Sequence, residues 1–477
     1  MGVARHYASH SNREFKLIAA IALDLGTTSV KAGLLDHDGV LSNVVARQSP
    51  EITIKDDRYE SDALAYATAA ESVLDECMAL SGGCTTLGMC SQRSSFLLWE
   101  QASGRPLTPL ISWQDTRGAA SCGALRAHEK TIRGLAGLPL TPYYFAPKLR
   151  IVLQENPLLR ARLESGELLA GTLDTFLIWR WTGGKQFVTD ASMAARTLLM
   201  DIRQQQWSLK LCELFGIPVS SLPEIRSSAG MNLKLDNGVT LQASVGDQSA
   251  ALIASVSADG AEALANLGTG CFVVRYLSNQ QTAKNGYLET LVYQDSAQHA
   301  HFAIEGTINS VAAALAPYPV SECRVDDFAV DEIFCVAEPS GLGAPYFRGD
   351  IGVRFSQSVD HLSPRRIAAL LLEAVIFRVV RILEDFHRAS ALKRVYLSGG
   401  LSGLACLQQG IAQCVQFEVY RLSQAESSLQ GAALLAAGMN PSFIRESERI
   451  LKINESPALK EKYQRWKVWL DGLLRQS

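Results

Sequence analysis

Six consecutive residues near the start, Asp24-Leu25-Gly26-Thr27-Thr28-Ser29, combine a carboxylate, a position without a side chain and three hydroxyls. Such a set suits a phosphate. Glycine lets an anion approach the backbone, amides and hydroxyls donate to its oxygens, and an aspartate can hold hydrated Mg2+. Lys31 follows on the same run and could reach a terminal phosphate. The same residues would also make a plain hairpin turn with an aspartate at its edge. The tripeptide Leu-Gly-Thr returns at Leu267-Gly268-Thr269, again between two apolar runs. Two phosphate-sized turns half a chain apart predict a duplicated domain with a nucleotide held between the copies.

Gly246-Asp247-Gln248 closes the apolar run TLQASV, which places an acid at the tip of a strand. An aspartate there could take a proton from a hydroxyl during in-line phosphoryl transfer. It could equally cap a helix formed by QSAALIASV. Arg93, Trp113, Gln114, Asp115 and Arg117 stand near predicted strand ends. An aromatic wall with forked donors is the mixture that a sugar or polyol site needs. Taken singly, each of these residues reads as a surface or salt-bridge group.

The elements that must position them follow from pattern. Strands are expected over Leu17–Asp24, Ser29–Leu35 and Val40–Gln48, the last two joined by the Asp36–Gly39 turn, where Asp-Gly supplies positive φ. A helix follows over Ser61–Leu80, then the strand TTLGMCS and a hairpin turning at Ser103-Gly104. Between Gly118 and Met200 short helices alternate with loops, and near Gly246 the chain crosses to its second half. Ala261–Tyr276 repeats the opening hairpin. Ser363-Pro364 starts a helix with an N-cap serine and a first-turn proline. Its stripe is Ile367, Leu370, Leu371, Ala374, Val375, Ile382 and Phe386. RVYLSGG reads as a buried strand, Gly431–Gly438 as a close-packed helix, and the charged tail from Arg445 as a surface helix.

At 477 residues the chain exceeds one core, so two domains are expected. A net charge of -3 makes no case for nucleic acid or an anionic membrane as partner. No apolar run is long enough to span a bilayer. Ten cysteines lie scattered with no CxxC pair, which fits buried free thiols in a reducing cytoplasm. Residues 1–16 read as a polar N-terminal tail.

Together these segments resemble the FGGY carbohydrate kinases, and within them the glycerol kinase branch. The resemblance runs from about Leu17 to about Gly438. It is carried by DLGTTSVK, the SQR segment Ser91–Arg93, ISWQDTRG, GTLDTFLIWRWTGG, VTDASMAARTLLMDI, GDQSAAL, LGTGCF, EGTINS, GLGAPYF and LSGGLS. It implies an α/β fold of two actin-like (ribonuclease H-like) domains, with mixed sheets flanked by helices and an ATP cleft between them. The expected division is an N-terminal domain over 17–253 for the acceptor and a C-terminal domain over 254–477 for the nucleotide. By the same resemblance Asp247 is the catalytic base, and Asp24 with Asp247 serves Mg2+. Thr27, Thr28, Ser29, Lys31, Gly268, Thr269 and Gly400 meet ATP. Arg93, Trp113, Tyr143, Asp247, Gln248 and Phe272 surround the acceptor.

Several positions depart from that pattern. Ser94 stands where glycerol kinases carry a glutamate that accepts from a substrate hydroxyl, which enlarges the pocket and removes a strong acceptor. Phe145 and Ile151 replace a small polar residue and a tryptophan. Ala312 and Leu404 replace a glycine and an asparagine on the adenine side, and the segments Ser310–Pro339 and Pro345–Asp350 are shorter. The expectation is an ATP-dependent kinase acting on a hydroxyl of a small polyol or ketose, with a homodimer as the oligomer to consider. The rival is a kinase-derived protein that binds a metabolite with little or no turnover.

Overall fold

The computed structural model describes residues 17–268, 270–277, 286–423, 426–440, 447–451 and 457–476. The expected tail 1–16 and Thr269 lie outside the described residues.

IAAIALDL at Ile18–Leu25 is apolar on both faces, and Ala20 to Leu23 are fully buried. A strand of that kind needs cover on both sides. It pairs antiparallel with Ser29–Asp36, which pairs with the exposed edge strand Leu41–Gln48. On its other side Thr86–Ser91 and then Thr240–Gly246 run parallel to it, with Ala229–Lys234 at the far edge. The second sheet repeats this plan. Glu262–Leu267, Cys271–Tyr276 and Ala300–Ile308 form the antiparallel meander, and Arg394–Ser398 and Glu418–Leu422 add in parallel. Leu288–Gln294 and Ser447–Arg449 extend its two ends. The short Leu-Gly-Thr echo in the sequence is therefore a duplicated sheet, and Asn266 occupies in the second copy the place of Asp24 in the first.

Helix Ala63–Leu80 covers one face of the first sheet. Asp62 caps it by accepting from the Leu64 and Ala65 amides, and Tyr66, Ala67, Ala70, Val73, Leu74 and Cys77 point inward. The opposite face is covered by Asp247–Ser255 and by Ser427–Ala437, a helix that returns from the end of the chain. Two glycines permit this return. A Cβ on Gly431 would sit 1.8 Å from the Ala250 carbonyl oxygen, and one on Gly88 would sit 2.1 Å from the Ala432 carbonyl oxygen. The division expected at 253/254 cuts helix Asp247–Ser255, and the chain after it does not stay with the second sheet.

The second core is built on the 26-residue helix Pro364–Ala389, capped by Ser363 as expected. The C-terminal tail is not the surface helix that its charge predicts. Helix Pro457–Arg475 buries Leu459, Tyr463, Trp466 and Leu470, and Lys462 pairs with Glu373 in the interior. Its apolar stripe is sparse in sequence but continuous once wound at 3.6 residues per turn. The stretch 118–200 holds helices as expected, plus strands the sequence reading missed, Val188–Asp190 and Leu168–Thr172. The latter edges a five-stranded sheet also containing Phe96–Glu100 and Leu110–Ile111. All ten cysteines are free, and nine are buried.

The helix return yields a direct test. Gly431→Ala should destabilise the protein at the upper end of the about 1–3 kcal/mol typical of overpacking. Gly472→Ala, in open space on the last helix, should instead stabilise by roughly 0.5–1 kcal/mol. Urea denaturation of the two variants measures both; equal midpoints would contradict the packing described here.

Candidate active site

Three parallel strands end at one level: Leu25 and Gly246 each lie opposite Ser91 in register. The residues that follow those ends face a common cleft, the usual place for a ligand on an open α/β sheet. Gly26 makes the first turn tight, since a Cβ there would lie 2.8 Å from the Ser29 carbonyl oxygen. The turn is clamped from behind. The Gly26 carbonyl accepts from the Tyr66 hydroxyl and from Ser49 Oγ at 2.8 Å, and Gln92 bridges Tyr66, Ser95 and Thr27.

Asp24 is 9% exposed. Its Oδ2 accepts from Ser428 Oγ at 2.7 Å, at the start of the returning helix, where the helix dipole favours a negative charge. Its Oδ1 has no hydrogen-bond partner among the described residues. Burial pushes this carboxyl up to about 6; Ser428 pulls the other way, and the charge of Asp247 adds to the rise. An unsatisfied buried carboxylate oxygen beside a phosphate-sized turn fits Mg2+, which takes one or two carboxylates and leaves its other positions to water and phosphate. The described residues contain no cluster of three acidic, histidine or cysteine ligands that could hold a metal without a substrate.

Asp247 is the first residue of helix Asp247–Ser255, with Gly246 as its N-cap, so it is neither the strand tip nor the cap. Its side chain is one-third exposed and its Oδ1 lies 3.5 Å from Arg93 Nε. Desolvation raises its pKa, and Arg93 opposes that rise. Arg93 is mostly buried and its Nη2 donates to Gln248 Oε1. Burial, then the nearby Arg196 charge, pushes its guanidinium down to about 10. Arg93, Gln248 and Phe272 line a small cavity of about 70 Å³ with Asn266, Thr290 and Glu305 of the second domain.

The other expected residues divide. Thr27 spends its hydroxyl inside the protein, donating to Gln92 and accepting from Trp113 Nε1 at 2.9 Å. Thr28 is exposed, and neither it nor Ser29 makes a side-chain hydrogen bond among the described residues. Lys31 is held by both oxygens of Glu426, at 2.7 and 2.8 Å, rather than standing free for a phosphate. Trp113 and Tyr143 form an exposed pair with ring centroids 6.4 Å apart, and neither lines the cavity. Asp115 and Arg117 form a buried ion pair at 2.7 Å, which removes them from ligand contact. Gly268 and Gly400 lie at the ends of the two central strands of the second sheet. The sharper constraint there is Gly399, read from the sequence as part of a Gly-Gly turn: its φ is +84°, and a Cβ on it would lie 2.7 Å from the Leu267 carbonyl oxygen.

Sequence reasoning also missed Lys148. It is fully buried and donates to the carbonyls of Ser94 at 3.0 Å and Ser112 at 2.8 Å, joining the segments that carry Arg93 and Trp113. Burial pulls its pKa down to about 7. Ser94 adopts the left-handed conformation at φ +63° and donates its hydroxyl to the Arg196 carbonyl. No local signal marks Lys148, Glu426 or Ser428, because their partners lie far away in sequence.

Residues 19–265 match the N-terminal domain, and residues 263–439 the C-terminal domain, of the FGGY family of carbohydrate kinases. The chain belongs to that family. This FGGY kinase is 33% identical to a glycerol kinase of Shewanella baltica over 445 residues, covering 87% of this chain and 89% of that one. It is 31% identical to a glycerol kinase of Haemophilus influenzae over 494 residues, covering 95% and 97%. Its fold is similar to that of Plasmodium falciparum glycerol kinase with ADP, at a TM-score of 0.85 and 23% identity, covering 96% and 98%. It is also similar to a xylulose kinase from Rhodospirillum rubrum, at 0.79 and 19%, covering 95% and 98%. As an FGGY kinase it is a phosphotransferase with an alcohol group as acceptor. No helix among the described residues is long and apolar enough to cross a membrane.

The ionised Asp24 carries a stability cost. Its folded pKa of about 6 lies above the ordinary 3.8, so the cost grows as pH rises between those values and is constant above. Asp24→Asn should therefore raise stability by up to ~3 kcal/mol at pH 7.5, with the gain vanishing below about pH 4. Activity should be lost in the same variant. Thermal unfolding of both proteins across that range measures the difference; a variant less stable at pH 7.5 would refute it.

Proposed function

We propose that this kinase transfers the terminal phosphoryl group of ATP to a hydroxyl of a small polyol or ketose, with Asp247 as general base. The observation that carries the reading is the Asp247–Arg93–Gln248 group, of which Arg93 and Gln248 line the cavity. It brings a carboxylate of raised proton affinity, a buried guanidinium and an amide to one point. Arg93 and Gln248 orient the acceptor hydroxyl, and Asp247 takes its proton as the oxygen bonds to phosphorus. The bond from that phosphorus to the bridging oxygen breaks, and ADP leaves. The turns at Gly26 and Gly268 and the amides at the start of Ser427–Ala437 face the nucleotide's phosphates. Asp24, with Asp247, would hold Mg2+, which when bound neutralises charge on the phosphate oxygens.

Ser94 bears on the substrate. Its hydroxyl is directed to the Arg196 carbonyl, so this wall presents no carboxylate to the acceptor. The cavity beyond Arg93 is lined by Leu264, Val274, Val292 and Ala303 as well as Thr290 and Glu305. With no carboxylate side chain at position 94, the reading favours an acceptor other than glycerol itself, a longer polyol or a ketose.

Asp247→Asn should lower kcat by about 10²–10⁴-fold with Mg-ATP affinity retained, measured by ADP release over glycerol, tetritols, pentitols and ketoses. Wild-type turnover in that variant would end the assignment. The base must be ionised, and both Asp247 and Asp24 bind protons more tightly than free aspartate. The rate should therefore fall on acidification through about pH 6, where an exposed aspartate would hold its charge to nearer 4. A kcat/KM profile flat from pH 8 to 5 would contradict it. Calorimetry of the wild-type protein with Mg-ATP decides against the non-catalytic rival if heat of binding is seen. Absence of binding with every acceptor would favour that rival.

A further inference from the structure

Strand Thr240–Gly246 delivers Asp247, yet its last residues lack a strand neighbour on one side. Thr86–Ser91 accompanies it to the Gly246–Ser91 pair, but the edge strand Ala229–Lys234 reaches only as far as Ala229 opposite Ala243. Two serines finish that edge. Ser244 donates its amide to the Ser228 carbonyl at 3.0 Å, and Gly246 donates its amide to Ser192 Oγ at 2.9 Å.

Both serine hydroxyls converge on Asp190, which is wholly buried. Ser192 Oγ donates to Asp190 Oδ1 at 3.1 Å and Ser228 Oγ donates to Oδ2 at 2.6 Å. The amides of Ser192 and Met193 supply two further bonds, at 2.8 and 3.0 Å. A carboxylate with four donors around it can only accept. Each hydroxyl therefore gives its proton to Asp190 and keeps its lone pairs for another donor. Ser192 offers them to the Gly246 amide. Ser228 offers them to the amide of Gln294 at 3.1 Å, and its own amide donates to the Gln294 carbonyl at 2.9 Å. Gln294 is the last residue of Leu288–Gln294, in the second sheet. The bonded chain is thus continuous from Gln294 through Ser228, Asp190 and Ser192 to Gly246, and the next residue is Asp247.

Gly246 has little room to move. A Cβ on it would lie 2.7 Å from Arg93 Cδ, so any shift of this residue displaces Asp247 against the guanidinium beside it. We propose that Ser192 is a positioning residue for Asp247, and that Asp190 and Ser228 tie it to the second domain, so that both domains set where the base points. Neither serine lines the cavity, so their effect on turnover runs through Gly246. The inference rests on Asp247 acting as the base.

Ser192→Ala keeps the amide that caps with Asp190 and removes the hydroxyl, which takes away the acceptor for Gly246 and one of the four donors to Asp190. It should lower kcat by about tenfold or more while KM for acceptor and for Mg-ATP changes by less than about twofold, because misplacement costs rate rather than binding. Ser228→Ala should act in the same direction. The double variant should lose less than the product of the two single losses, since both act through Asp190. In an Asp247→Asn background, Ser192→Ala should leave the residual rate unchanged. Wild-type kcat in both serine variants would overturn the proposal, as would an equal loss from Ser192→Ala with and without Asp247. Should Ser192→Ala fail to fold, Ser228→Ala in the two backgrounds makes the same comparison. An error in the assignment of the base shows separately, as wild-type turnover in Asp247→Asn alone.

Discussion

The site depends on one close contact, the return of helix Ser427–Ala437 against strand Thr86–Ser91 and helix Asp247–Ser255. Gly88 and Gly431 allow backbone to meet backbone there, at distances no Cβ could share. Because the helix lies so deep, its first turn reaches the cleft. Ser428 bonds Asp24 across 404 positions of chain, and Glu426 bonds Lys31 across 395. A bulkier interface would lift that turn away, leaving Asp24 with two unsatisfied oxygens and Lys31 without its partner. Two halves of a duplicated fold are in this way locked beside the Gly26 turn.

The electrostatics of the cleft carry a cost that packing must offset. Removal from water is the largest cause of the raised proton affinity of both Asp24 and Asp247, and the charge of Asp247 adds to the rise at Asp24. Arg93 suffers the same desolvation in the opposite sense, with Arg196 adding to it. A charge on the second domain, Glu305, favours the Arg93 cation. Charged groups held in such surroundings interact more strongly with a ligand than they would in water. Instability stored at a site is therefore the counterpart of its capacity to bind and orient charge.

On the acceptor side, rigidity comes from buried polar groups that touch no ligand. Lys148 joins the Ser94 and Ser112 carbonyls, and Asp115 with Arg117 braces the same loop. These groups fix where Arg93 and Trp113 stand. Ser94 itself is held in that frame, its hydroxyl on the Arg196 carbonyl and its own carbonyl on Lys148.

Much of this was legible along the chain. The two strand-turn-strand copies, the tight glycine at Gly26, the capped helix at Ser363 and the aspartate after TLQASV all rest on turn chemistry and periodicity within a few residues. Thr27, Asp115 and Arg117 had the right residue types, but only folding showed that their polar atoms are spent on internal partners. The last helix hid its stripe behind a high density of charge. Lys148, Glu426 and Ser428 bore no local mark at all, since each is defined by a partner far off in sequence. Local pattern determined the strands, the turns and the kinds of group available. Which of those groups face the cleft, and which are consumed in holding it open, was decided by tertiary packing, because hydrogen bonding and burial depend on neighbours that no short window contains.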